Sequence, residues 1–315
     1  MGKPNVRLNP QVESIRNRVL LEKGTRLLLS CALLLPAPDN SGRGRNPYDY
    51  RIVLVLCLLR ILLRKRYADY ESELRTDKRL MEMLSLTKLP CKSTVNNYAL
   101  IFSLSMLTRF NKRLIDPWIK KPVDLLLDAS GIRLVGRSIW YCIRTNQKIR
   151  KKDCDKIHIA VSNCSLLIAN FRITNSKKND SPFLRKLLSC YRKLGLIFAD
   201  KGYSGRKNTN FVASKQGAFF CPFKKNANPT GLNPWAYAYR LWKYFPTIWD
   251  AIYHQRSKVE CVFSALKKRY GDQLHSKHWY SRRREMAMIF IAYNVRIIVA
   301  IQIAREKNIP LWVRA

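Results

Sequence analysis

The sequence predicts an α/β domain, a mixed sheet flanked by helices, over residues 123–315, preceded by an all-helical N-terminal region over residues 1–122. Up to residue 122, apolar residues recur three and four apart, the helical period. From Val123 onward, short apolar runs alternate with amphipathic stretches and turn-marking residues, and two of those runs stop at a carboxylate. The length of 315 residues suits two domains better than one, and a hydrophobic content of 47% marks a folded chain, not a disordered basic tail.

In the N-terminal region, a loop or hinge is expected from Asp39 to Pro47, where Gly42, Gly44 and Pro47 break any helix. Helical periods follow over Tyr50 to Leu63 and Tyr70 to Leu84. Leu89-Pro-Cys-Lys-Ser93-Thr then makes a turn, with Ser93 expected to cap a helix running toward Ser103. A further helix covers Leu107 to Leu114, before Pro117 and Pro122. Helices separated by short turns fit a helix-turn-helix DNA reader, and equally fit helices that package the N-terminus or mediate dimerisation.

The second region opens with Val123-Asp-Leu-Leu-Leu-Asp128, a buried-strand pattern expected to end at its carboxylate. Lys156 to Ser162 and Leu166 to Thr174 predict a hairpin about Asn163 to Ser165. Ser181-Pro182 opens an amphipathic helix expected to reach Leu194. Leu196 to Asp200 is a second apolar strand ending in a carboxylate; a helix from about Asn208 and a strand over Ala218 to Phe223 come next. An irregular segment reaches Pro246, and a long amphipathic helix follows.

Charge narrows the partner. The chain has 59 Lys and Arg against 21 Asp and Glu, a formal net charge of +38 and a pI near 10.3. Such an excess repels itself unless a polyanion balances it, and nucleic acid is the polyanion whose regularly spaced phosphates meet cations spread through a whole chain. Nine cysteines without a C-x-x-C pair argue against a disulfide framework or a zinc site and for a reducing, cytoplasmic setting. His275 and His278 form an isolated pair without the further ligands that a metal site needs. The apolar runs Leu27 to Leu35, Ile52 to Leu63 and Met286 to Ala304 are short, late or interrupted by polar residues, so they predict buried helices and no membrane span.

The strongest local signal is Tyr253, Arg256, Glu260 and Lys267. At about 100° per residue they fall within roughly 60° of one another on a single helix. Beside them runs an apolar stripe of Ile248, Ile252, Val259, Val262, Phe263 and Leu266, built for burial. A surface helix with a chance Arg256–Glu260 pair would leave the same local trace. Asp128 and Asp200 supply the wider context. Functional groups gather at the carboxyl ends of strands in α/β sheets, so both carboxylates are expected at one rim, joined by Glu260 if this helix packs there. Taken singly, Asp128 or Asp200 could be an ordinary turn residue after a strand. Together, Asp128, Asp200 and Glu260 form a set of hard oxygen donors suited to two Mg²⁺ or Mn²⁺ ions. Ions so placed supply Lewis acidity for in-line attack at phosphorus.

These residues resemble the DDE transposases of prokaryotic insertion sequences, of the kind with a Y-(2)-R-(3)-E-(6)-K signature. Tyr253, Arg256, Glu260 and Lys267 match that spacing at every position. Asp128-Ala-Ser-Gly resembles the family's first-aspartate strand end, and Ala199-Asp200-Lys-Gly-Tyr203 its second-aspartate motif. Asn179-Asp180-Ser181 is similar to an H-D-S with Asn in place of His, Phe220-Cys-Pro222 to the following strand, and Ala292-Tyr-Asn294 to a C-terminal helix motif. The likeness runs from residue 123 to about 300, and more loosely over 45 to 115, through Leu89-Pro and Ser93-Thr.

The resemblance implies an RNase H-like catalytic domain. Asp128, Asp200 and Glu260 would be the catalytic, metal-holding residues that cut at the element's ends and join the freed 3′-hydroxyl to target DNA. Arg256 and Lys267 would hold phosphates or terminal nucleotides, and Tyr253 would stack beside them or serve as a core aromatic. Asp180 is expected to cap its helix. The implied partners are double-stranded DNA, as terminal inverted repeats and as target, and a second copy of the chain in an active homodimer. A nuclease or resolvase that cuts without joining, and a DNA-binding relic that does not cut, share the same signals. Between Lys224 and Phe245, aromatic residues interleave with Lys and Arg; base stacking and simple burial explain that pattern equally.

Overall fold

The computed structural model describes residues 6–38, 48–134 and 154–314; the expected loop at 39–47 lies outside them. Strand β1 (Val6–Leu8) leads into helix α1 (Pro10–Leu33), which starts where Asn9 Oδ1 accepts from the Gln11 amide at 3.0 Å and Pro10 presets the first turn. Helix α2 (Tyr50–Leu62) is capped by Asp49, which accepts from the Arg51 amide at 2.8 Å. Its residues Val53 to Leu59 are all buried, as an all-round apolar helix requires.

The single helix expected over Tyr70 to Leu84 is two, α3 (Tyr67–Thr76) and α4 (Lys78–Met83). The break lies at Asp77, whose carboxylate accepts from the Leu80 amide at 3.0 Å and so caps the second helix. Helix α5 (Lys92–Ile101) begins one residue before Ser93, which is therefore not its cap. Glu71 of α3 accepts from the Lys92 amide at 3.1 Å and satisfies that free first-turn donor instead. Helix α6 (Leu104–Ile115) is capped by Ser103 at the Met106 amide.

The chain divides into two units, one comprising Leu8–Pro117 with Ser276–Trp312, the other chiefly Trp118–His275. Ser276–Trp312 belong with the N-terminal helices, because the last helix is apolar all round and α1, α2 and α6 cover it. That helix, α12 in chain order (Trp279–Glu306), is long and apolar enough to cross a membrane, yet 94% of its most apolar window is buried inside the protein. Within its core, Asn294 Nδ2 donates to Asn111 Oδ1 at 2.8 Å, both side chains being fully enclosed.

The other unit holds strands β2 (Val123–Leu134), β3 (Cys154–Ser162) and β4 (Ile168–Asn175), helix α7 (Ser181–Leu188) and strand β5 (Leu194–Ala199). Then come α8 (Arg206–Ser214), β6 (Ala218–Phe220), α9 (Pro234–Tyr244), α10 (Pro246–Tyr253), α11 (Lys258–Tyr270) and the two-residue β7 (Gln273–Leu274). A last strand, β8 (Trp312–Arg314), pairs with β1. The main sheet runs β4-β3-β2-β5-β6, with β7 also on β2. Its first three strands are antiparallel and β2, β5 and β6 are parallel, the RNase H-like arrangement that the resemblance implies. The hairpin about Asn163 to Ser165 lies where expected.

Three expectations change. Helix α7 stops at Leu188 instead of reaching Leu194, which opens β5. Strand β2 does not end at Asp128; the ladder with β3 continues to Arg133 and Cys154, and Arg133 also pairs with Gln273 of β7. Asp128 marks where burial ends, since Leu125, Leu126 and Leu127 are wholly buried and Asp128 is not. Part of the segment before Pro246, expected to be irregular, forms α9, whose Asn233 cap accepts from the Ala236 amide ahead of Pro234. Phe223, just before that segment and buried, packs against the half-buried Trp235, Tyr239 and Trp242, with ring centroids 4.5, 5.2 and 5.4 Å away. Tyr237 and Tyr244 remain exposed beside Arg240 and Lys243.

Asp180 makes no cap hydrogen bond to α7. It turns toward β3, 2.6 Å from Lys156 Nζ and 3.4 Å from Nδ1 of the enclosed His158. His158 Nε2 lies 3.0 Å from Thr174 Oγ1, and its ring stacks on Phe183. Burial pulls this imidazole down from 6.5 to about 4, against the opposing charge of Asp180. Between those values the unfolded chain takes up a proton that the folded chain refuses. Stability should therefore be complete above pH 6.5 and fall toward pH 4, by on the order of 3 kcal/mol. Denaturant titrations of the wild type and of His158→Gln should show this slope in the former and a flatter one in the latter.

Candidate active site

The parallel pairing of β2 with β5 sets Leu127 opposite Ala199, so Asp128 and Asp200, the next residue on each chain segment, are neighbours at one sheet rim. Asp128 Oδ1 accepts from its following amide, Ala129 N, at 2.9 Å. Asp200 lies just beyond β5, where its carbonyl accepts from the Tyr203 amide at 2.9 Å and from Cys221 Sγ at 3.1 Å. Those bonds hold the Lys201–Tyr203 turn beneath the exposed Asp200 side chain. Gly202 sits against Asp180, where an added Cβ would lie 3.2 Å from a carboxylate oxygen.

The single helix expected from Tyr253 to Lys267 is interrupted. Helix α10 ends at Tyr253, a 3₁₀ turn spans His254–Ser257, and α11 restarts at Lys258. Tyr253 is the reason for the placement of this turn: its hydroxyl donates to Ala199 O at 3.2 Å and its ring stacks on Trp249 at 4.2 Å. Ser257 Oγ closes the turn by donating to His254 O at 2.9 Å. The four signature residues therefore converge by a turn and a helix start, with Glu260 in the first turn of α11 and Lys267 in its last.

Arg256 is the junction. Its Nη2 lies 3.1 Å from Asp128 Oδ1, and its Nη1 donates to Glu260 Oε1 at 2.7 Å. One planar fork thus ties a strand carboxylate to a helix carboxylate. Desolvation raises the Asp128 carboxyl above its ordinary value; Arg256 opposes this and the nearby Asp200 charge adds to it. For Arg256, burial works downward, but Asp128, Tyr253, Asp200 and Glu260 together hold the guanidinium above its usual value. Burial also pushes the Tyr253 phenol up.

A cleft of about 530 Å³ opens beside this junction, lined by Asp128, Ser130, Glu260, Ser264, Lys267 and Lys268, with Ala129 and Phe263 between them. Asp200 adjoins Asp128 and does not line this cleft. Sequence reasoning did not single out Ser130, Ser264 or Lys268, although Ser264 and Lys268 follow Glu260 at steps of four, the spacing of one helix face.

Among the described residues, no three His, Cys, Asp or Glu side chains converge closely enough to hold one metal ion. The donor chemistry nonetheless fits a hard divalent cation: Asp128 and Asp200 are adjacent carboxylates whose mutual repulsion such a cation relieves. Glu260 is held on Arg256, and its side chain, 46% exposed, has room to turn.

Residues 119–295 match the family model described as the transposase DDE domain, more than half of the chain. The chain belongs to that family of DNA-acting transposases, whose chemistry is phosphodiester cleavage and transesterification, generally with divalent metal ions. Among solved structures it is similar to the piggyBac transposase, described as a synaptic complex with hairpin DNA, at 10% identity and a TM-score of 0.44, covering 92% of this chain and 74% of that one. No curated protein sequence matches the chain.

Removing the guanidinium from the junction has a direct readout. In Arg256→Ala the Asp128 carboxyl should titrate at a still higher pH than in the wild type, followed by its carbon-13 chemical shift. An unchanged midpoint would show that the two groups do not couple.

Proposed function

We propose that this protein is the transposase of a prokaryotic insertion sequence, cutting DNA at the element's terminal inverted repeats and joining the freed 3′-hydroxyl to target DNA. The observation that carries this reading is the Arg256 fork, which joins Asp128 to Glu260 at the rim where Asp200 neighbours Asp128. Residues more than a hundred positions apart meet there, within a domain of the transposase family.

In this reading Asp128 and Asp200 would hold divalent metal from the sheet rim, and Glu260 would complete the set on leaving Arg256. When bound, two Mg²⁺ or Mn²⁺ ions supply Lewis acidity at the attacking and leaving oxygens of an in-line displacement. Arg256, released from its carboxylates, presents a two-pronged donor to a phosphate, and Lys267 presents a point charge. Tyr253 fixes the turn that carries Arg256 and offers its ring beside the nucleotides. The N-terminal helices bind the element ends or join two copies of the chain, since two ends must be brought together by a homodimer. The working location is the cytoplasm, on the nucleoid.

Asp128→Ala, Asp200→Ala and Glu260→Ala should each reduce cleavage of an element-end duplex to background in Mg²⁺ or Mn²⁺, while gel-shift binding stays near the wild-type level. With precut ends the wild type should give joined product. Hydrolysis without joining would instead mark a nuclease or resolvase, and binding without any nicking a relic that keeps only its grip on DNA.

A further inference from the structure

Beyond the carboxylates and the signature residues, one wall of the cleft has no assigned task. Ser264 and Lys268 lie four and eight residues after Glu260 on α11, and Lys267 stands beside them; all three are exposed. Ser130 faces them from β2, two residues beyond Asp128 and so on the same face of the strand. Among the described residues, the Lys267 and Lys268 ammonium groups have no ion-pair partner and the Ser264 hydroxyl has no hydrogen-bond partner. The Ser130 hydroxyl reaches only Gly131 O, at 3.5 Å, beyond a good O–H···O distance.

The cleft is therefore divided by charge. Asp128 and Glu260 form an acidic side, while two ammonium groups, with two hydroxyls able to donate beside them, form a side suited to an anion. Cations in a last helical turn also suit the helix dipole, but the dipole gives no reason for two uncommitted hydroxyls beside them. At 1.5 Å per residue, Ser264 lies about 6 Å along the helix from Glu260 and Lys268 about 12 Å. That progression leads away from Glu260 along α11.

We infer that Ser130, Ser264 and Lys268 form a subsite for the backbone phosphate next to the scissile one, so that the cleft grips two successive linkages of one strand. The inference rests on the transposase reading of the same cleft. The acidic side takes the reacting linkage with its metal, and the hydroxyl and ammonium side takes its neighbour. Holding the second phosphate fixes the direction of the strand across the carboxylates, which a single point of attachment cannot do.

The test uses the full chain and an element-end duplex in which single phosphates around the cleavage site are replaced, one at a time, by neutral methylphosphonates. In the wild type, one replacement adjacent to the scissile linkage should weaken binding roughly tenfold, the loss of one charge-assisted hydrogen-bonding group. Lys268→Ala should weaken the native duplex by a similar factor, lower the salt slope of binding by about one, and show no added loss on that modified duplex. Ser264→Ala should show a smaller, non-additive loss at the same linkage, and Lys268→Arg should restore binding. Additive losses at every linkage, or an unchanged salt slope with a normal circular dichroism spectrum, would overturn the subsite. A separate control keeps the two failures apart: cleavage by Asp128→Ala at the wild-type rate would sink the transposase reading itself, whereas an inactive Asp128→Ala with additive Lys268 losses would sink only the subsite.

Discussion

Two carboxylates brought close in a partly desolvated cleft repel each other unless a cation stands between them or one of them takes up a proton. At about 4 Å and an effective dielectric of 20, like charges repel by roughly 4 kcal/mol, enough to push a surface helix away from a strand end. Arg256 prevents that by offering one nitrogen to Asp128 and the other to Glu260. The fork ties Glu260 to Asp128, while the buried Val259, Val262, Phe263 and Leu266 seat α11 in the domain. The turn that delivers Arg256 is itself pinned to β5 through the hydroxyl of Tyr253 on Ala199 O. The strand that positions one carboxylate thus also positions the residue that binds the other.

The sheet was largely legible because buried parallel strands have a simple sequence form. Leu125 to Leu127 and Ile197 to Ala199 are apolar on both faces, and each run reaches a carboxylate as burial ends. The Asn163 to Ser165 hairpin was legible for a similar reason, being bounded by two apolar runs. What escaped detection depended on partners distant in the chain. No local pattern says that Glu71 will satisfy the Lys92 amide and displace Ser93 from its expected cap. No local pattern says that α12 will be covered by α1, α2 and α6 either; its composition announces burial and not the identity of its neighbours.

The candidate site shows the same division. Strand ends drew attention to Asp128 and Asp200, and spacing to Arg256, Glu260 and Lys267, but their geometry was not legible in either. A uniform helical period places Tyr253 and Arg256 on the helix of Glu260, whereas the stacking of Tyr253 on Trp249 and its bond to Ala199 divide that helix with a 3₁₀ turn. Asp180 illustrates the reverse case. Its position before a Ser-Pro helix start suggests a cap, yet the side chain is drawn to Lys156 and His158, because an ammonium at 2.6 Å offers a charge-assisted bond where the helix amides offer neutral donors.

Scarcity of acid gives these placements their weight. In a chain with 21 Asp and Glu among 59 Lys and Arg, an acidic side chain readily finds a cation or an amide to satisfy it. Asp124 does so on the Leu196 amide, Asp180 on Lys156, and Asp272 on Arg133. Asp128 and Glu260 instead share a single guanidinium, while the charge of Asp200 raises the Asp128 carboxyl and is felt by that same arginine. Asp128 and Asp200 thus stand as neighbouring carboxylates at the sheet rim, in a protein whose net charge is +38. Folding stability alone gives no reason to gather carboxylates there, since each would be better placed beside a lysine of its own. Under the proposed function Asp128, Asp200 and Glu260 would hold a hard cation that relieves this repulsion, leaving Arg256 for a phosphate.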